Sequence, residues 1–301
     1  MKELSTKTAI NTGKSEFFQK VKDYQQLVKL RLNLTVVFSS IMAYLIGASG
    51  PIDWMALVVL GAGGFLVTGA ANTLNQVLES EFDANMKRTA GRPLAAGRMK
   101  SSEAVLAAGL MSMFGISLLA LFNPWTAFFG TLALVLYAFL YTPMKRISPL
   151  AVTIGAIPGA LPTLIGVVAA QGSITTLGIT LFFIQFLWQF PHFWSIGWLG
   201  FEDYKKAGYK IMPEQNGQQD PNITFQALLY ALFLIPVSIV PFYLGESGIV
   251  SMICLLVLSV VYAVFAFLFY KNQNRKAALG LMFYSFCYIP FGLIVLFLDK
   301  I

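Results

Sequence analysis

Three oxygen-bearing side chains recur at a fixed interval where an apolar stretch of the chain ends. Asn75, Glu79 and Asp83 follow the apolar residues 54–74 and are spaced four residues apart, which places them on one face of a helix. Amide and carboxylate oxygens suit Mg²⁺, which binds a few such ligands and leaves room for waters and substrate phosphates. Stacked carboxylates at the end of a membrane helix are costly unless something binds there. The spacing therefore predicts a Mg²⁺ site on Asn75, Glu79 and Asp83.

Cations follow these acids and recur at two other helix ends. The candidates for binding phosphate groups are Lys87, Arg88, Arg92, Lys145 and Arg146, and Arg98, Lys29 and Arg31 extend the same ring of charge. An arginine fork matches phosphate oxygens in a bidentate way. Gly91 and Pro93 break the helix, so the connection can fold back over the membrane end. The pattern indicates a metal-assisted site for a polyphosphate, and the alternative is a solvated helix end with ordinary surface acids.

A second polar stripe lies in a later apolar segment. Gln185, Gln189 and His192 are predicted to share one helical face, and Asp203 lies five full turns beyond Gln185. Pro191 is expected to kink this helix. His192 is the single histidine of the chain, either a hydrogen-bonded structural group or a ligand-binding residue. Asp203 is placed to hold a second Mg²⁺ or to complete the first site.

The elements that must position these residues are membrane helices. The 301 residues are 57% hydrophobic and 12% charged, whereas soluble domains carry about 25% charged residues. We predict an all-α, polytopic membrane helix bundle with nine transmembrane helices. The predicted spans are 28–48, 54–78, 104–122, 125–141, 150–170, 174–198, 223–244, 247–270 and 277–298. Residues 1–26 are interpreted as a cytoplasmic tail and residues 27–301 as a single transmembrane domain.

Charge placement predicts the orientation of the bundle. With a cytoplasmic N-terminus, every Lys and Arg except Lys300 falls on the inner side, as the positive-inside rule requires. The net charge of +7 is thereby explained without nucleic acid as a partner. The two long connections, 79–103 and 199–222, both lie inside, so we expect the active site on the cytoplasmic face. Their equivalent positions suggest two four-helix halves followed by a ninth helix.

The acidic pattern resembles the UbiA superfamily of intramembrane prenyltransferases. That resemblance rests on Asn75, Glu79 and Asp83 at an inner helix end, with a second acidic loop four helices later. The match is closer to the branch that farnesylates protohaem IX, and it spans about residues 28–298. The further motifs that carry it are 86–89 with 92–94 and Gly97, Tyr141 and Thr142 with Lys145 and Arg146, 159–162 with Gly166, and 191–194 leading to Asp203, Tyr204, Ala207, Gly208 and Pro213.

This resemblance implies an activity. A farnesyl group passes from farnesyl diphosphate to a vinyl group of haem b, water adds, and haem O and diphosphate form. Because it is the unique histidine and lies in the polar helix stripe, His192 is the candidate for binding the haem. By the resemblance, Asn75, Glu79, Asp83 and Asp203 are catalytic residues that bind Mg²⁺, and the five cations Lys87, Arg88, Arg92, Lys145 and Arg146 bind the diphosphate. It also implies a bacterial inner membrane location, a lipid environment, and a haem A synthase or terminal oxidase as a downstream partner.

The sequence departs from the family pattern in two places. Glu79 stands where the family usually has Asp, and Gly200 and Glu202 stand where basic residues are expected; Lys205 and Lys206 are the candidate replacements for those basic residues.

Two alternative functions stay open. One alternative is prenyl transfer to an aromatic quinone precursor. The other is transport of an anionic amphiphile, which the short, nearly uncharged outer loops disfavour because a transporter needs access from both faces.

Overall fold

The computed structural model describes residues 16–301 and consists almost entirely of helices, so the predicted all-α fold is confirmed. The helices are α1 (residues 16–27), α2 (Leu30–Gly47), α3 (Trp54–Asp83), α4 (Ser101–Ala120), α5 (Pro124–Val135), a π-helical segment (Leu136–Tyr141), α6 (Thr142–Met144), α7 (Ala151–Gln171), α8 (Thr176–Leu199), α9 (Phe201–Lys206), α10 (Asn222–Ser238), α11 (Val240–Tyr243), α12 (Ile249–Asn272) and α13 (Arg275–Leu298). A small antiparallel hairpin joins β1 (Glu214–Gln215) to β2 (Gln218–Gln219).

Within residues 16–301, eight helical segments are long and apolar enough to cross a membrane. They are α2, α3, α4, α5 continued through α6, α7, α10 continued through α11, α12 and α13. The remaining long helix, α8, has 24 residues and carries the polar side chains Gln185, Gln189 and His192. The chain is therefore a multi-pass membrane protein, while a ninth span at α8 and the cytoplasmic orientation of the N-terminus stay predictions.

Close helix packing depends on a few small residues. A Cβ atom at Gly166 of α7 would lie 2.1 Å from the carbonyl oxygen of Ser40 on α2. A Cβ at Gly115 of α4 would similarly lie 2.9 Å from the backbone nitrogen of Val67 on α3. Only a residue without a side chain permits such backbone approach, the usual way in which helices associate in membranes.

Asp299 and Lys300 each hydrogen-bond to a helix end, at the side of the bundle where α2 ends and α12 begins. Asp299 accepts a 2.6 Å hydrogen bond from the backbone nitrogen of Ser251, in the first turn of α12. Lys300 donates to the carbonyl oxygens of Leu45 and Ala48 at the end of α2, at 2.8 and 2.9 Å. An anion at a helix start and a cation at a helix end both complement the helix dipole, which gives Lys300 a structural role at the side opposite the other cations.

The two long connections lie at the same end of the bundle. The backbone nitrogen of Lys210, after α9, donates a 2.7 Å hydrogen bond to the carbonyl oxygen of Lys145, after α6. Helix α1 lies at this end too, because Arg98 of the connection after α3 pairs with Asp23 at 2.9 Å. The fold thus gathers the acidic and basic segments as predicted. The domain boundary at residues 26 and 27 and the two related halves stay predictions, and residues 1–15 of the predicted tail lie outside the described chain.

Candidate active site

The first predicted motif occupies the last turns of α3 and is buried. Asn75, Glu79 and Asp83 are respectively 0%, 2% and 2% exposed. The amide nitrogen of Asn75 donates to Glu79 Oε2 and to the Thr142 hydroxyl, both at 2.9 Å. Asn75 and Glu79 therefore share a face of α3. Buried carboxylates need partners, because desolvating an unpaired charge is expensive, and each of these acids has one.

Cations supply those partners. Lys145 Nζ lies 2.8 Å from Glu79 Oε1, and Arg92 Nη1 lies 2.6 Å from Asp83 Oδ2. Two of the five cations predicted to bind phosphate are thus brought directly to the acids by the connections after α3 and α6. The site therefore holds two acid–cation pairs at the end of the bundle.

Lys29 completes this set, although the sequence indicates it only as one more cation near the inner face. Its Nζ donates 2.7 Å to Asn75 Oδ1 and 3.3 Å to the Tyr137 hydroxyl. Lys29 has a φ of +49°, a left-handed conformation that non-glycine residues seldom adopt. Burial, with Arg92 and Lys145 nearby, holds its pKa well below the usual range. An anion bound here would favour the charged form.

A π-helical segment shapes the neighbouring wall of the site. Residues Leu136–Tyr141 form this wider turn, a rare feature often found at functional sites. The Tyr137 and Tyr141 rings lie 5.3 Å apart, and Lys145 Nζ lies 4.6 Å from the Tyr141 ring centroid. A Cβ at Gly155 of α7 would lie 2.6 Å from the Tyr141 ring, so this glycine makes room for the aromatic wall.

The second long connection covers the same acids through Tyr209, which the sequence pattern did not identify. Its ring lies 5.7 Å from that of Phe82 on α3. Burial, followed by the charges of Glu79 and Asp83, raises the pKa of the Tyr209 hydroxyl above its ordinary value. An aromatic residue in a polar loop gives no sequence signal of this contact, which depends on how the two connections meet.

The other predicted site residues take different positions. Arg146 stacks on the Phe82 ring at 3.7 Å and donates to the carbonyl oxygen of Leu78, so it also contacts the end of α3. Lys87 and Arg88 are exposed, and Asp203 on α9 is partly exposed. Among residues 16–301, no three His, Cys, Asp or Glu side chains lie close enough to form a metal cluster. The assignment of metal ligands therefore stays a prediction.

The polar stripe of α8 divides between two neighbouring helices. Gln185 and Gln189 donate to the carbonyl oxygens of Gly159 and Ala156 on α7, at 2.8 and 2.9 Å. His192 Nδ1 instead lies 2.7 Å from the Ser285 hydroxyl on α13. The three side chains therefore contact two different helices, and their common role in one site stays a prediction. The amide nitrogens of Gln185 and Gln189 find their acceptors on the backbone of α7, whereas His192 meets a side chain of α13.

Comparison with known proteins identifies the family. The model of the UbiA prenyltransferase family matches residues 36–287. The chain belongs to the UbiA prenyltransferase family. It is 43% identical to the protohaem IX farnesyltransferase of Cytophaga hutchinsonii, over 92% of this chain and 97% of that protein. It is 42% identical to the protohaem IX farnesyltransferase of Christiangramia forsetii, over 92% and 93% of the two chains.

Two solved structures share this fold. A structure of digeranylgeranylglyceryl phosphate synthase superposes with a TM-score of 0.79 at 20% identity, covering 93% of this chain and 98% of that one. A UbiA homologue from Archaeoglobus fulgidus, bound to GPP and Mg²⁺, superposes with a TM-score of 0.66 at 14% identity, covering 91% and 99%. Membership of a prenyltransferase family favours an enzyme over the transporter alternative.

Proposed function

We propose that this UbiA prenyltransferase transfers the farnesyl group of farnesyl diphosphate to a vinyl group of haem b, giving haem O and diphosphate. The observation that carries the proposal is the buried set of paired acids and cations at the end of α3, in a chain 43% identical to a protohaem IX farnesyltransferase. Relatives named for this activity also favour haem over an aromatic quinone precursor as the acceptor.

The donor set at the end of α3 fits Mg²⁺. Asn75, Glu79 and Asp83 present an amide oxygen and two carboxylates, buried side by side, and hard oxygen ligands are what this ion prefers. We propose that these residues hold Mg²⁺, with Asp203 completing the site from α9. When bound, the ion would supply electrostatic stabilisation to the negative charge of the departing diphosphate. The Mg²⁺ bound to the Archaeoglobus fulgidus homologue supports this choice.

The cations of the chain bind and stabilise the diphosphate. Lys145 and Arg92 already lie at the acids, and Arg146, Lys87 and Arg88 occupy the connections around them. As the bond between carbon 1 and the diphosphate oxygen breaks, its electron pair leaves with diphosphate. Positive side chains fixed in advance around that oxygen stabilise the developing charge.

The walls of the site protect the allylic cation that remains. The rings of Tyr137 and Tyr141 stand beside Lys145, at the boundary between the charged pocket and the apolar bundle. Ring faces stabilise a neighbouring cation, and an enclosed site keeps water from quenching it. The haem vinyl group then supplies an electron pair to carbon 1 of the farnesyl chain. Water adds to the resulting cation beside the porphyrin and loses one proton, which leaves a hydroxyl group.

We propose that His192 binds the haem iron, since imidazole is a common axial ligand. The residue lies among aromatic side chains, with its ring stacked 4.8 Å from that of Trp188. Haem b and the farnesyl chain are both membrane-soluble, so both substrates can enter from the bilayer. A bacterial inner membrane, a cytoplasmic active site and delivery of the product to a haem A synthase or terminal oxidase complete the proposal.

Conversion by the purified protein tests this function. The protein in lipid nanodiscs receives haem b, farnesyl diphosphate and Mg²⁺, and the haems are separated and weighed by mass spectrometry. We expect a haem heavier by one farnesyl group and one hydroxyl group, with stoichiometric diphosphate. A parallel reaction with an aromatic quinone precursor serves as the control acceptor. Prenylation of that acceptor with unchanged haem would refute the proposal.

A further inference from the structure

We infer that Ser285 is a positioning residue that fixes the tautomer of His192, leaving its Nε2 free to ligate haem iron. The inference rests on the proposed haem-binding role of His192. It assigns a function to a serine of α13 that neither the acidic motifs nor the family resemblance indicates. The evidence is the direction of the hydrogen bonds around one hydroxyl group.

The hydroxyl of Ser285 has two partners and a single proton. Its oxygen lies 2.5 Å from the carbonyl oxygen of Met282, one turn earlier on α13, and 2.7 Å from His192 Nδ1. A carbonyl oxygen can only accept, so the serine proton is donated to Met282. The same oxygen can therefore act only as an acceptor towards His192, and Nδ1 must carry the imidazole proton.

This arrangement determines the chemistry of the other ring nitrogen. In a neutral imidazole one nitrogen donates and the other holds a lone pair, so the lone pair of His192 lies on Nε2. Metal-bound histidines commonly donate their second N–H to a nearby acceptor, which fixes the tautomer and makes the ligand more basic. Ser285 occupies that acceptor position. The site would thus take a metal centre that accepts one neutral nitrogen, such as the iron of haem.

Neighbouring aromatic residues hold the ring in this orientation. Trp188 stacks on the imidazole with an interplanar angle of 16°, and Phe286 meets it edge-on at 5.4 Å. Trp188 also donates its Nε1 proton to the carbonyl oxygen of Ser285 at 2.9 Å. Ser285 is fully buried, whereas His192 is partly exposed. The Nδ1 edge of the imidazole is therefore fixed between α8 and α13, while part of the His192 side chain stays exposed.

Haem binding by matched serine variants tests the inference. Ser285→Ala and Ser285→Cys remove a good acceptor, Ser285→Thr retains one, and Ser259→Ala is the control. Ser259 makes a comparable buried 2.7 Å bond to the Tyr288 hydroxyl of α13 without touching His192. Each protein is titrated with haem b by its Soret band, and the iron–histidine stretch of the ferrous complex is recorded by resonance Raman spectroscopy.

We expect the Ala and Cys variants to bind haem about 10-fold more weakly, as is typical when such an outer partner is lost. Their iron–histidine band should move to lower frequency because the ligand becomes less basic. The Thr variant and the Ser259→Ala control should match the unmodified protein. Unchanged farnesyl diphosphate binding in each variant would show that the fold is intact.

The two ways of failing are distinct. An unmodified protein with no iron–histidine band would refute the haem role of His192 itself, and the inference with it. A clear band that disappears in His192→Ala but stays unshifted in both Ser285→Ala and Ser285→Cys would overturn the role of Ser285 alone. If Ser285→Ala does not fold, the Cys variant, which is close in volume, decides the question.

Discussion

The contact between Glu79 and Lys145 allows a sharp test of how the site is built. The two side chains meet at 2.8 Å, with exposures of 3% and 14%. At that separation, and with an effective dielectric constant of about 20, their attraction is about 6 kcal/mol before desolvation is subtracted. Removing one member of a buried pair typically costs about 3–5 kcal/mol, because the other charge is left alone.

We therefore expect Lys145→Met to lower the free energy of unfolding by about 3–5 kcal/mol, while Glu79→Gln/Lys145→Met recovers most of this loss. Both proteins should lose farnesyl transfer, since the cation is proposed to bind diphosphate. The double-mutant cycle is measured by denaturation of the ligand-free protein in detergent micelles, beside turnover assays on the same samples. Lys20→Met, which breaks an exposed contact to Glu103, is the control and should leave both readouts nearly unchanged.

Additive effects of the two substitutions would refute this reasoning. Additivity would mean that the charges do not sense each other in the folded protein. Near-normal turnover in Lys145→Met would separately reject the proposed diphosphate contact. The two readouts thus distinguish a pair that only stabilises the fold from one that also serves catalysis.

Three further outcomes follow from the same geometry. Asp83→Ala should abolish turnover, because it removes a proposed metal ligand and leaves Arg92 without its 2.6 Å partner. A variant protein that is extracted from membranes in normal yield and keeps near-wild-type turnover would contradict this. Gly166→Ala should destabilise the protein by about 1–3 kcal/mol, because the added Cβ would lie 2.1 Å from the Ser40 carbonyl oxygen. Gly109→Ala is the control, since its Cβ would enter open space, and it should leave the stability unchanged. Thermal melting curves of the two variants test this prediction. Chelation of divalent metal should stop diphosphate release reversibly, with recovery on adding Mg²⁺, and metal-independent turnover would refute the Mg²⁺ proposal.

The helices and the first acidic motif were predictable because they depend on local periodicity. Hydrophobic runs of about 20 residues indicate membrane helices whatever their neighbours are. The four-residue spacing of Asn75 and Glu79 likewise specifies a shared face, which their 2.9 Å contact confirms. Arg92 could also be anticipated, because the glycine and proline near it turn the connection back towards Asp83.

The remaining contacts depend on how distant segments meet. Lys29 reaches Asn75 through a left-handed backbone turn between α1 and α2, and nothing in the local sequence specifies that conformation. Tyr209 reaches the acids from the second connection. The helical spacing predicts which face of α8 carries His192, but its partner Ser285 is set by the packing of α8 against α13. Such positions require the tertiary structure because their partners are more than forty residues away in sequence.

The order of acids and cations in the chain has a physical explanation in the ligand-free site. Glu79 and Asp83 accept from Lys145 and Arg92 respectively, while the neutral amide of Asn75 accepts from Lys29. The two ion pairs balance the charge of the buried carboxylates when no substrate is present, which avoids the cost of isolated charges. A metal diphosphate carries charge of both signs, so it can accept both halves of every pair. The acids would turn to the metal and the cations to the phosphates, with little change in the total charge buried at the membrane end. For that exchange the acids must lie on the rigid helix α3, and the cations on the connections that fold over its end.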